Sequence, residues 1–177
     1  ADQLLAIACY GEEIDEVVVV DPAGRDMPAN AVGVRNEREA LAYFCELVAR
    51  YNPDVLTGWN VIDFDLTVLG RIATRVNFDL QLGRERGAMR IRPARGYFGS
   101  GDATIPGRLV LDGIDLLRGA FVKMDDYSLD TVAHEVLGEG KTLGHDGGDK
   151  VAQILHNYAH DLPVFTRYAR TDARLAL

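Results

Sequence analysis

Apolar and polar positions follow two rhythms along this chain. Residues 4–10 (LLAIACY) and 16–21 (EVVVVD) are short apolar runs separated by the polar GEEID, which predicts a hairpin of sheet strands. DPAGRDMPAN then reads as a loop. Over 37–50, EREALAYFCELVAR sets apolar residues at 41, 44, 45, 47 and 48, the stripe of an amphipathic helix. NPD breaks that helix, and VLTGW (55–59) predicts a buried strand. A second helix is expected over about 64–75, with Leu66, Leu69, Ile72 and Ala73 on one face. Residues 77–107 are polar, basic and glycine-rich, an irregular insertion in which the alternation of AMRIRPARGYF predicts a β-hairpin.

The strand rhythm returns in GRLVLDG (107–113). IDLLRGAF reads as a short helix, and YSLDTVAHEVLG (127–138) as a helix capped by Ser128 and stopped by Gly138. GEGKTLGHDGGDK is a loop. Helical pattern resumes from about 149 and restarts at DLPVFTRYARTDARLAL, with Asp161 as N-cap and Pro163 in the first turn. Strands alternating with helices predict an α/β fold, a mixed sheet flanked by helices with a β-hairpin insertion. At 177 residues the chain suits one domain with a real core.

Composition adds three points. No apolar run approaches 18 residues, so no membrane span is expected, and ADQLLAIACYG lacks the basic start of a signal peptide. Both ends fall inside strand-like or helical patterns and look cut from a longer chain. Cys9 and Cys45 stand alone in apolar segments and read as buried free thiols.

Charge changes the picture more. The net charge is -8, which on its face argues against a nucleic-acid partner. Yet residues 71–108 hold Arg71, Arg75, Arg84, Arg86, Arg90, Arg92, Arg95 and Arg108 against only Asp79, Glu85 and Asp102. That segment carries +5, so the remainder carries -13. An acidic body with one Arg-rich segment suits a polyanion held beside an acidic metal site, and equally a solvated hairpin.

Candidate chemistry lies in GWNVIDFDL (58–66), at the carboxyl end of a strand and the start of a helix, where open α/β sheets bind ligands. Asp63 is expected to cap the helix, which leaves Asp65 in its first turn. On a helical wheel of 161–177, Asp172 falls on the apolar face with Phe165, Tyr168, Leu175 and Ala176. A carboxylate there must be paired or metal-bound. Tyr168, four residues earlier, is its neighbour.

Taken together and in this order, NPDVLTGWNVIDFDL and YARTD resemble the second and third motifs of the 3′–5′ exonuclease domain of family B DNA polymerases, nearest the bacterial DNA polymerase II type. GRLVLDGIDLLRGAF and YSLDTVAHEVLGEGK are similar to structural segments of that type, so the resemblance runs from about Leu4 to Leu177. It implies a ribonuclease-H-like fold and two Mg²⁺ or Mn²⁺ ions that hydrolyse the 3′-terminal phosphodiester of DNA. It implies that Asp65 and Asp172 are metal ligands and that Tyr168 orients the attacking water or the scissile phosphate. Asn60 would shape the site and Phe64 would pack beneath the junction, both beside bound substrate. Arg90, Arg92 and Arg95 fall where the family often carries a hairpin near the primer–template junction, and DNA backbone contact is assigned to them. The implied partners are a single-stranded 3′ end, primer–template DNA and the remainder of a polymerase chain, in the cytoplasm at the nucleoid.

The departures matter as much. The family's first motif, Asp-x-Glu on the first strand, should stand just before LLAIACYG and is not in this sequence; Asp2 is no substitute. The first strand itself is then expected to be missing, leaving an unpaired sheet edge in the core. Truncation or loss of the motif explains this, and the cut ends favour truncation. The polymerase motifs are absent, so no nucleotidyl transfer is expected here, and without Asp-x-Glu the exonuclease domain is expected to be weak or inactive alone. The alternatives are a ribonuclease-H-like DNA-binding or scaffold domain with a degenerate site, and a free-standing nuclease that lacks polymerase motifs. Among the other candidates, His156 and His160 have i, i+4 spacing that can bind Zn²⁺ but no third ligand nearby, and read as surface histidines. Asp112 reads as a structural acid at a strand end, and Lys141 as a solvated loop residue that could also reach a phosphate.

Overall fold

The computed structural model describes residues 3–94, 101–139 and 149–177. β1 (Ala6–Tyr10) and β2 (Asp15–Val20) form the expected antiparallel hairpin, with Ala6 opposite Val19 and Tyr10 opposite Asp15. Gly11 N–H donates to Ile14 C=O at 2.8 Å to close the turn. β2 is buried on both faces, which is why its four valines do not alternate with polar residues. Val18 and Val20 face one core cluster, while Val17 and Val19 face a second with Leu162 and Phe165. β3 (Ala31–Val34) runs parallel to β2 as a third strand that the sequence pattern did not reveal, because four residues with a central Gly33 carry too short a signal.

α1 (Glu37–Tyr51) starts at Asn36, whose side chain accepts from Glu39 N–H at 2.9 Å, while Glu39 accepts from Arg35 N–H at 2.8 Å. It ends at Asn52 in the left-handed region (φ 46°). Ala40, Leu41, Phe44, Leu47 and Val48 form its buried stripe. β4 (Val55–Gly58) follows. It was expected to be buried, but Val55 is 41% exposed, because among the described residues β4 has a neighbouring strand on one side only.

The next segment departs furthest from the pattern. A π-helical turn (Val61–Leu66) precedes α2 (Thr67–Arg75). Asp63 does not cap: neither helix start has a side-chain cap, and the entry is made by Asn60 at φ 57°. The insertion then supplies Leu80, Leu82 and Ile105 to the core, so it is less polar in effect than in composition. β5 (Arg90–Arg92) and β6 (Asp102–Thr104) make the expected antiparallel hairpin. Arg95, like Asp2 and Lys141, lies outside the described residues.

β7 (Leu109–Asp112) pairs with β4 in parallel and leads into α3 (Gly113–Gly119). α4 (Leu129–Leu137) is capped by Ser128 and stopped by Gly138 at φ 67°, as expected. α5 (Lys150–His160) is capped by Asp149, and α6 (Leu162–Leu175) by Asp161, which accepts from Val164 N–H at 3.1 Å.

A mixed sheet with a hairpin insertion was expected; the strands of the described residues form three sheets, ordered β1-β2-β3, β4-β7 and β5-β6, the last being the hairpin. The first two nevertheless share a core. Ile7 and Cys9 of β1 pack against the same α1–α2 cluster as Leu56 of β4 and Val110 of β7. On the other face, α6 contributes Phe165 beneath β2 and Leu175 beside Trp59, just past β4. Helices on both faces thus hold together two sheets whose edge strands, β1 and β4, are not bonded to each other. The thiols of Cys9 and Cys45 are free, and burial, then Glu16 opposite it, pushes Cys9 up to about 12, so it stays protonated and inert. No described helix is long and apolar enough to cross a membrane.

Candidate active site

β4 and β7 end side by side, with Gly58 level with Asp112. The chain leaves both strands through tight contacts. A Cβ at Gly113 would lie 2.7 Å from the Trp59 ring, so glycine is what lets α3 start beneath the indole. Trp59 Nε1 donates to Tyr127 C=O at 2.9 Å, and its ring packs with Leu129, Ala133 and Leu175. The indole therefore ties the β4 end to α4 and to the last turn of α6. That tie carries Asp172, one turn before Leu175, towards the π-helical turn.

Five carboxylates gather here. Asp112 is 6% exposed and accepts two backbone hydrogen bonds. Asp63, Phe64 and Asp65 project outward from the π-helical turn, and all three are exposed. Asp65 is surrounded by protein on several sides yet still open to water. Desolvation, and then the charges of Asp112 and Asp172, push its carboxyl up to about 6, against a hydrogen bond from its own backbone N–H. Asp115 is likewise raised, first by desolvation and then by Asp112 and Asp63. Asp172 is half-buried on α6, with Oδ1 sealed from solvent. Tyr168 is half-buried one turn earlier on the same helix.

Asp65 and Asp172, 107 residues apart in sequence, are thus close enough to feel each other's charge. Asn60 is exposed and forms the left-handed entry to the turn, where its C=O accepts from Phe64 N–H at 3.0 Å. Phe64 does not pack beneath the junction: it is 60% exposed, because the wide π-helical turn buries Ile62 and Leu66 instead. Asp63 accepts from Ala94 N–H at 3.2 Å and so joins the turn to the hairpin insertion. Arg90 and Arg92 are exposed on β5, and Arg92 pairs across the hairpin with Asp102 at 2.9 Å. His156 and His160 are exposed on α5 with ring centroids 4.8 Å apart. Sequence reasoning read Asp112 as a structural strand-end acid, which its burial and two backbone hydrogen bonds bear out, but missed its reach to Ile62 and the role of Trp59. An indole and an acid each sit next to a strand-end glycine, and that was the available signal.

The donor set suits a hard divalent cation, since a cation beside Asp65 would favour the charged carboxylate against the desolvation, and then the like charges of Asp112 and Asp172, that raise it. Among the described residues, however, no three Asp, Glu, His or Cys side chains converge into a complete metal site. The pH dependence follows from Asp65. Its carboxyl is raised from 3.8 to about 6 on folding, so between those values the folded state holds more protons and stability falls as pH rises. Asp65→Asn removes that cost. Water on the open side screens part of it, so the expected gain above pH 6 is about 1 kcal/mol, or about 2–4 °C in Tm. The gain should shrink to nothing as pH falls towards 3.8, which thermal melts across this range will check.

The sequence profile of the DNA polymerase family B exonuclease domain matches residues 9–132, which include the Asn60–Asp65 turn and Asp112. The chain belongs to that family. DNA polymerase II of Escherichia coli is 39% identical over 127 residues, covering 72% of this chain and 16% of that protein. The DNA polymerase of Thermococcus aggregans is 30% identical over 168 residues, covering 93% of this chain and 9% of that protein. The DNA polymerase delta catalytic subunit of Schizosaccharomyces pombe is 31% identical over 149 residues, covering 77% of this chain and 14% of that protein. The chain therefore spans less than a fifth of the length of these relatives.

Proposed function

We propose that this chain is the proofreading 3′–5′ exonuclease domain of a polymerase II-like enzyme, cytoplasmic and acting at the nucleoid, with a ribonuclease-H-like sheet that lacks one strand. The observation that carries this reading is the convergence of Asp65, on the turn after β4, with Asp172 on α6. The family membership supports it. The edges of β1 and β4, which share one core without bonding to each other, support a fold in which a further strand lies between them.

In this reading Asp65 and Asp172 hold Mg²⁺ or Mn²⁺ with hard carboxylate oxygens. Bound metal would supply an acidic water for attack and take up charge on the leaving 3′ oxygen. The chain's own residues do the rest. Tyr168, one turn from Asp172, orients the attacking water or the scissile phosphate through its hydroxyl. Phe64, exposed beside Asp65, offers its ring for stacking on a terminal base. Asn60 fixes the entry of the turn through its left-handed backbone. Arg90, Arg92 and Arg95 contact the DNA backbone near the primer–template junction, and the rest of the polymerase chain covers the domain.

Two carboxylates do not make a two-metal site, so the 177-residue chain is expected to digest single-stranded DNA weakly or not at all. Digestion of an end-labelled oligonucleotide in Mg²⁺ tests this; robust, Asp65-dependent digestion by this chain contradicts it. One observation favours a second reading, a DNA-binding scaffold with a degenerate site: no complete metal cluster occurs among the described residues. A scaffold would bind DNA but gain no activity when the sheet is completed.

A further inference from the structure

A buried acid outside the proposed ligand set holds the turn that carries Asp65. Asp112 closes β7 and caps α3, with Oδ1 accepting from Ile114 N–H at 3.0 Å. Capping uses one oxygen. The other, Oδ2, crosses to the neighbouring strand's exit and accepts from Ile62 N–H at 3.1 Å, fifty residues back in the chain. Ile62 lies in the first turn of the π-helix, where backbone N–H groups have no partner within the helix. It is 5% exposed, so water does not replace the bond cheaply.

We propose that Asp112 is a positioning residue, a two-armed clamp that fixes the π-helical turn to the start of α3 and thereby sets where Asp65 points. This rests on the reading of Asp65 as a metal ligand. The parallel register makes the clamp rigid, since Asp112 sits level with Gly58 on a strand bonded to β4. The side-chain chemistry explains why the position holds an acid. Its two oxygens serve two donors, Ile62 N–H and Ile114 N–H. Asparagine offers one acceptor and turns an NH₂ towards the second donor, and serine reaches only the nearer one. The acid is retained although its charge adds to the repulsion on Asp65 and Asp115. A cap alone is served equally well by serine.

The test uses Asp112→Ser and Asp112→Asn in the 177-residue chain, with amide hydrogen exchange at Ile62 and Ile114 and with Mn²⁺ titration followed at Asp65. In Asp112→Ser, Ile114 should stay protected, Ile62 should lose protection at least about tenfold, and the apparent Mn²⁺ affinity should fall about tenfold, as for other residues that orient ligands. In Asp112→Asn, the affinity should follow whichever state Ile62 adopts and be indifferent to Ile114. If the serine variant fails to fold, the near-isosteric asparagine variant is read by the same rule. Unchanged protection of both Ile62 and Ile114 in a folded variant overturns the clamp, and so does Mn²⁺ affinity that stays constant while Ile62 is deprotected. If Asp65→Asn leaves Mn²⁺ binding unchanged in the parent chain, the metal-ligand reading falls, and the Ile62 exchange result still decides the clamp.

Discussion

Fused ahead of Ala1, a strand bearing Asp-x-Glu should raise digestion of single-stranded DNA by this chain about a thousandfold or more. The β1 and β4 edges share one core, and an added strand would gain backbone hydrogen bonds along them. The two added carboxylates would face Asp65 and Asp172. Metal coordination of a phosphoryl oxygen contributes several kcal/mol to the transition state, and about 1.4 kcal/mol is tenfold in rate, so completing the site is worth at least about three powers of ten. Release of 3′-terminal nucleotides from a labelled oligonucleotide in Mg²⁺ is the readout. An otherwise identical fusion carrying Asn-x-Gln controls for the strand alone. It should protect the domain against unfolding while leaving digestion at baseline, and Asp65→Asn in the active fusion should return it there. Equal activation by both fusions would show that the strand acts by folding the domain; activation by neither would favour the scaffold.

Much of the frame was legible because local signals sufficed. The β1–β2 hairpin, α1 with its apolar stripe, and the caps at Ser128 and Asp161 all lie within a few residues of the features that fix them. The hairpin insertion was visible as alternation in AMRIRPARGYF, and β5 and β6 realise it. What escaped depended on distant partners. The helix after β4 was expected to start at an Asp63 cap, but the π-helical turn begins at Val61, where the chain is held by Asp112 from β7. That hydrogen bond belongs to the β4–β7 register, which no local pattern encodes. The same shift turned Phe64 outward and freed Asp63 to bond Ala94. Leu80 and Leu82 are buried among polar neighbours because the insertion folds back under α1, again a tertiary effect.

The candidate site was legible only as a pair. Asp65 alone is an ordinary helix-start acid, and Asp172 alone is a carboxylate on an apolar stripe. Trp59 makes them one site by packing against Leu175, a contact that neither segment announces. Asp112 read as a strand-end structural acid, and its buried, doubly bonded carboxylate agrees with that. The sequence did not indicate that its second oxygen reaches the turn bearing Asp65.

The largest effect on binding is expected from the two proposed ligands, Asp65 and Asp172. Removing either carboxylate should weaken Mn²⁺ binding at least about a hundredfold, beyond the usual cost of losing an outer-shell partner. Asp65→Asn and Asp172→Asn should not add when combined, because each breaks the same site. Both carboxylates must be ionised to bind, so affinity should also fall as pH drops through about 6, where Asp65 takes up its proton. The most direct measurement is Mn²⁺-induced broadening of backbone amide resonances in the 177-residue chain near pH 7.5. The amides around Asp65 and those around Asp172 should broaden together, at one Mn²⁺ concentration, and both effects should vanish in Asp65→Asn. Broadening at only one of the two segments, centred on His156 and His160, or persisting in Asp65→Asn would contradict a site shared by Asp65 and Asp172.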